Sequence, residues 1–76
     1  MRVSYYGRLA EAAGLRSEEV AGASTVAQLR ALLAGRVAGI EDSKRVRALV
    51  DDVVVDEEHW LEGVEEVGFL PPVSGG

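Results

Sequence analysis

Thr25-Val26-Ala27-Gln28-Leu29-Arg30-Ala31-Leu32-Leu33-Ala34 is the stretch around which the rest of the chain organises. Thr25 and Gln28 have capping-box spacing, in which the threonine oxygen accepts from the first turn and the glutamine reaches back to it. Val26, Leu29, Leu33 and Val37 then recur at i, i+3, i+7 and i+11, the apolar stripe of an amphipathic helix. The spacing predicts a helix over about residues 26–35, its end blurred by Gly35 and Gly39. A stripe of this kind needs a sheet to bury it, and the flanking sequence supplies one.

Upstream, Arg2-Val3-Ser4-Tyr5 alternates polar and apolar residues, so Met1 to Tyr6 reads as a strand with Val3 and Tyr5 on one face. Gly7 ends it, Arg8 to Ala13 favours a helical turn closed by Gly14, and Ser17 to Val20 is short enough to return as a second strand. Downstream, Val46 to Val50 and Val53 to Val55 flank Asp51-Asp52, a hairpin of β-branched runs around a polar turn. After Gly63, Val64 to Leu70 forms a last strand, with Val67 and Phe69 on one side and Gly68 and Leu70 on the other. The order predicts an α+β domain, a mixed sheet of about five strands with one main helix packed across it. Its expected core sets Val3, Tyr5, Val20, Val50, Val55, Val67 and Phe69 against Val26, Leu29 and Leu33. Trp60 and Leu61 are expected to plug its edge.

At 76 residues, the chain has room for a single domain. It has no cysteine, which excludes disulfides, thiolate metal sites and a cysteine nucleophile. Its longest apolar runs fall far short of the roughly 18 residues of a membrane span. Neither a leader pattern nor an asparagine acceptor for glycosylation is present, which places the expected location in the cytoplasm. Charge is unevenly placed. Residues 1–47 hold all eight basic and five acidic residues, whereas 48–76 hold eight acidic and none basic. An overall charge of −5 lacks the cationic footprint of a nucleic-acid binder. The acidic half, with Glu57, Glu58, Glu62, Glu65 and Glu66, suits docking on a basic protein surface, and equally a solvated face.

Phosphate-loop, dinucleotide and zinc-helix patterns are missing. The single His59 lacks the three or four partners a zinc ion needs and reads as a loop residue; no metal is expected. Glu65 and Glu66, adjacent in a strand, point to opposite faces and cannot converge on one substrate. The C-terminus, Phe69-Leu70-Pro71-Pro72-Val73-Ser74-Gly75-Gly76, stands apart. The prolines lack an N–H and fix φ near −65°, so sheet pairing stops there and Leu70 and Pro71 are stiffened outward. The two glycines are expected to end the chain in a slender tip with a free carboxylate that suits a narrow tunnel in another protein, a frayed tail being the alternative. Residues 1–70 are therefore expected to be the domain and 71–76 a projecting tail.

That ending resembles the small, sulfur-carrying subunits of molybdopterin synthase, a ubiquitin-like β-grasp family. The resemblance extends to the opening strand, Thr25-Val26-Ala27-Gln28-Leu29-Arg30 and Ala48-Leu49-Val50. Two turns depart from the family pattern: Asp51 stands where an Asn is common, and Gly63-Val64-Glu65-Glu66-Val67 where Asp-Gly-Asp-Glu-Val is. The resemblance implies that Gly76 is adenylated by an E1-like enzyme using ATP, becomes a thiocarboxylate at the expense of a sulfur donor system, and delivers sulfur to cyclic pyranopterin monophosphate in the large subunit of a heterotetrameric synthase. It further implies no bound cofactor, an inserted tail of Pro71, Pro72, Val73, Ser74, Gly75 and Gly76, and a partner interface including Phe69, Leu70, Glu65 and Glu66. Thiazole-pathway sulfur carriers and ubiquitin-like protein modifiers share the terminal Gly-Gly. A purely structural β-grasp module would need no free C-terminus.

Overall fold

The computed structural model describes residues 1–72. Strands β1 (Arg2–Tyr5), β2 (Ser17–Glu19), β3 (Arg47–Val50), β4 (Val53–Val55) and β5 (Glu66–Leu70) form one sheet of order β2-β1-β5-β3-β4. Strands β1 and β5, the first and last in sequence, pair in parallel at its centre, with Val3 opposite Val67 and Tyr5 opposite Phe69. The other pairings are antiparallel. A short helix α1 (Arg8–Ala13) follows β1, and α2 (Val26–Leu33) supplies the main helix. This is the mixed-sheet α+β architecture expected from the sequence.

The local causes are those that the sequence carries. Thr25 is the N-cap of α2, and its Oγ1 accepts from the Gln28 N–H at 3.2 Å while Gln28 Oε1 accepts from the Ser24 N–H at 2.7 Å. Two further N–H groups at this helix start donate to loop carbonyls, Val26 to His59 and Ala27 to Glu57. The segment around His59 thus satisfies backbone donors that a helix terminus leaves unpaired. At the β3–β4 turn, Asp51 and Asp52 have φ of 52° and 64°, the left-handed pair that a two-residue hairpin demands and that Asp tolerates.

Val26, Leu29, Leu33 and Val37 are fully buried against Val3, Tyr5, Ala48, Val50, Val67 and Phe69. The core is wider than expected, because Leu9, Ile40 and Val46 join it, while Val20 and Val55 are only partly buried at its margin. Trp60 corrects an expectation. It is 69% exposed, and Leu61 alone enters the core. An isolated antiparallel bridge between Thr25 and Trp60 explains the difference, because neighbours on extended chain face opposite ways.

A buried arginine was not legible in advance. Arg30 is 4% exposed, its Nε donates to Glu57 Oε1 at 2.7 Å and its Nη1 donates to the Ile40 carbonyl at 2.7 Å. Its guanidinium lies 5.3 Å from the centroid of the Phe69 ring. One side chain thereby ties α2 to two loops and to the end of β5.

Candidate functional site

Strand β5 carries the chain toward its C-terminus through the middle of the sheet, so whatever follows Leu70 leaves from the centre of one sheet end. The ladder finishes with Arg47 opposite Leu70. On the other side, the Tyr6 N–H donates to the Phe69 carbonyl at 3.1 Å. Pro71 and Pro72 then leave the sheet, since neither has an N–H with which to continue it. Pro71 is half-buried and Pro72 exposed; together with Arg8, Leu9, Arg45 and Val46 they line a groove of about 320 Å³. Val73, Ser74, Gly75 and Gly76, the expected tip, lie outside the described residues.

Period-two alternation sorts the expected interface residues. Phe69 is fully buried beneath Arg30, which corrects its expected place at a partner surface: its side chain belongs to the core. Leu70 points the other way and is 39% exposed, on the face of the sheet that α2 does not cover. Tyr6 and Val54 are exposed on that same face, beside the half-buried Leu49. Glu65 and Glu66 are exposed but precede or begin β5, a strand's length from Leu70. Ser4 donates its hydroxyl to the Glu66 carboxylate. Glu57 is engaged by Arg30, so it is not a free surface charge.

One polar cluster stands at the sheet margin. Tyr5 donates its hydroxyl to Glu18 Oε2 at 2.6 Å, and Arg36 Nη2 donates to both Glu18 oxygens at 3.1 and 3.0 Å. Burial, reinforced by the neighbouring Glu18 carboxylate, pushes the Tyr5 phenol well above its ordinary range. The hydrogen bond from Tyr5, aided by Arg36, holds Glu18 below the usual carboxylate range. At neutral pH the phenol is a fixed donor and the carboxylate a fixed acceptor. The cluster is a clamp joining edge strand β2 to the segment after α2, not an acid–base pair. Among the described residues no group of three or more His, Asp or Glu side chains is placed to hold a metal ion.

Two glycines at the tail root have roles that the sequence reading did not assign. A Cβ on Gly68 would meet Tyr6 Cε2 at 2.8 Å, and one on Gly7 would meet Pro71 Cγ at 3.0 Å. The available signal was Gly68 itself, since glycine inside a strand marks a close approach by another group.

The described architecture defines a ubiquitin-like β-grasp domain whose last, central strand runs out into a Pro-Pro tail. The ThiS family pattern matches residues 3–76, and the chain belongs to this family of ubiquitin-like sulfur carriers. The solved crystal structure of SAMP1 from Haloferax volcanii superimposes with a TM-score of 0.69 at 25% identity, covering 99% of this chain and 97% of that one. No curated protein sequence matches the chain. Carriers of this kind work with E1-like activating enzymes and partner enzymes.

Proposed function

We propose that the chain is the sulfur carrier of molybdenum cofactor biosynthesis, the small subunit of a cytoplasmic molybdopterin synthase. The observation that carries this reading is the ending Phe69-Leu70-Pro71-Pro72-Val73-Ser74-Gly75-Gly76 on a chain of the ThiS family. Thiazole-pathway carriers and protein modifiers share the Gly-Gly tip; the Phe-x-Pro-Pro-Val-Ser arm is not expected of thiazole-pathway carriers and supports the molybdenum reading over that one.

The Gly76 carboxylate is a poor electrophile. In the activating enzyme it attacks the α-phosphorus of ATP, pyrophosphate leaves, and an acyl adenylate forms. A persulfide-type donor then attacks the acyl carbon, AMP leaves, and reductive cleavage of the S–S bond by a thiol leaves a Gly76 thiocarboxylate. The large subunit supplies acid–base and phosphate-binding groups, and each delivered sulfur returns Gly76 to a carboxylate. Two deliveries complete the dithiolene of the pterin. Gly75 gives the tip clearance, Pro71 to Ser74 span the entrance, and Leu70 contacts the partner beside it. Glu58, Glu62, Glu65 and Glu66 contribute steering toward basic partner surfaces, an effect on association rate that salt weakens.

The test is reconstitution with activating enzyme, sulfur donor, large subunit and cyclic pyranopterin monophosphate. The parental chain should form dithiolene, and a chain lacking Gly76 should form none while melting at the same temperature. Parental-rate synthesis by the shortened chain would sink the proposal. Thiocarboxylate formation without sulfur delivery to the pterin would favour the thiazole pathway.

A further inference from the structure

The tail departs where the sheet's own ladder has run out, so something other than strand pairing must set its direction. Tyr6 and Gly7 stand at that point. The Tyr6 N–H makes the bond that closes the β1–β5 edge, to the Phe69 carbonyl at 3.1 Å. Tyr6 as a whole is 46% exposed, and its ring lies so close over Gly68 that a methyl group there would sit 2.8 Å from Cε2. The next residue, Gly7, has φ 55° and ψ −131°, backbone open to glycine and strained for other residues. This turn brings Gly7 against the Pro71 ring, leaving only 3.0 Å between Pro71 Cγ and the place a Cβ would occupy. Two glycines, one of them inside a strand where glycine is disfavoured, are thus used to let segment 6–7 press on segment 68–71.

We propose that Tyr6, Gly7 and Gly68 form a brace that aims the tail, and that Tyr6 is a positioning residue for the chemistry at Gly76. The inference rests on the carrier reading. Gly76 lies only four residues beyond Pro72, so a shift of about 1 Å at the root of the tail is large enough to matter at its end. A misplacement of that size at a reacting atom can cost about 100-fold in rate. A rigid start to the tail lets the docked body deliver the carboxylate without a search. Losing the brace leaves docking intact and slows the chemical step.

The experiment pairs steady-state kinetics with an NMR contact. The E1-like enzyme, ATP, a persulfide sulfur donor and a thiol reductant are supplied with the parental chain, Tyr6→Ala, Gly68→Ala and the double variant, so that each acyl adenylate is consumed, and pyrophosphate release is followed. In parallel, the NOE between the Pro71 ring and the Gly7 α-protons is measured in each free chain. Tyr6→Ala and Gly68→Ala should each lower kcat about 10- to 100-fold. KM should stay within about twofold and the NOE should weaken, and the double variant should be no slower than the worse single one, as two changes to one contact require. Retained parental kcat with either variant, or a raised KM with kcat intact, would overturn the brace; the second result would make Tyr6 a docking contact. A parental chain that releases no pyrophosphate would instead count against the carrier reading, and a parental Pro71–Gly7 NOE that persists in Tyr6→Ala would refute the brace without reference to any partner.

Discussion

The two faces of the sheet carry similar side chains toward different ends. The covered face sets Val3, Tyr5, Ala48, Val50, Val67 and Phe69 against α2, and every one of them is buried. The open face holds Tyr6, Leu49, Val54 and Leu70, none of them buried. Consecutive residues divide between the faces: Tyr5 from Tyr6, Phe69 from Leu70. Stability should therefore reside on one face and function on the other, and substitutions on each can break or sharpen that division.

The largest stability loss is expected at Phe69, which fills the core between β5 and Arg30. Phe69→Ala should cost about 3–5 kcal/mol in denaturant melts, from lost transfer energy and the cavity left behind. Leu29→Ala, on the helix side of the same core, should cost about 2–5 kcal/mol. A loss well under 1 kcal/mol at either site would contradict the assigned core. Thr25→Ala removes the N-cap acceptor and should cost about 1 kcal/mol, smaller because a cap bond is exchanged with water.

The clamp at the sheet margin predicts a pH dependence. Glu18 is held below its ordinary pKa, so its contribution is present above the unfolded-state value of about 4.3 and is lost as pH falls through the lower folded-state value. Tyr5 is raised, so its contribution is present below about 10 and is lost as pH climbs toward the folded-state value. Glu18→Gln should flatten the acid limb of a stability–pH profile measured by urea melts; an unchanged limb would remove Glu18 from the account. The smallest effect is expected on the open face. Val54→Ser should shift stability by no more than about 0.5 kcal/mol, as an exposed substitution does, and a larger loss would show that this face also holds the fold together.

Much of this was legible in the sequence. The capping box at Thr25, the 26-29-33-37 stripe and the Asp51-Asp52 turn are local patterns, and each is found where local physics puts it. The alternation of β5 also separates Phe69 from Leu70, although the family resemblance alone would set both against a partner. What could not be read were contacts made by residues far apart in sequence. Arg30 is polar by type and buried only because Glu57 and the Ile40 carbonyl meet it. Tyr6 finds Gly68 because β1 and β5, the two ends of the chain, pair in parallel. Trp60 looked like core by size, and a single bridge to Thr25 turns it outward.

The central claim is that the chain's chemistry is carried by its terminal glycine and not by any side chain. Intact mass spectrometry of the protein from its native cell, followed by fragmentation of the C-terminal peptide, tests it most directly. The account predicts a population heavier by one sulfur-for-oxygen exchange, with the added mass on Gly76. A single unmodified species under conditions of active cofactor synthesis, or added mass confined to residues before Gly75, would contradict it.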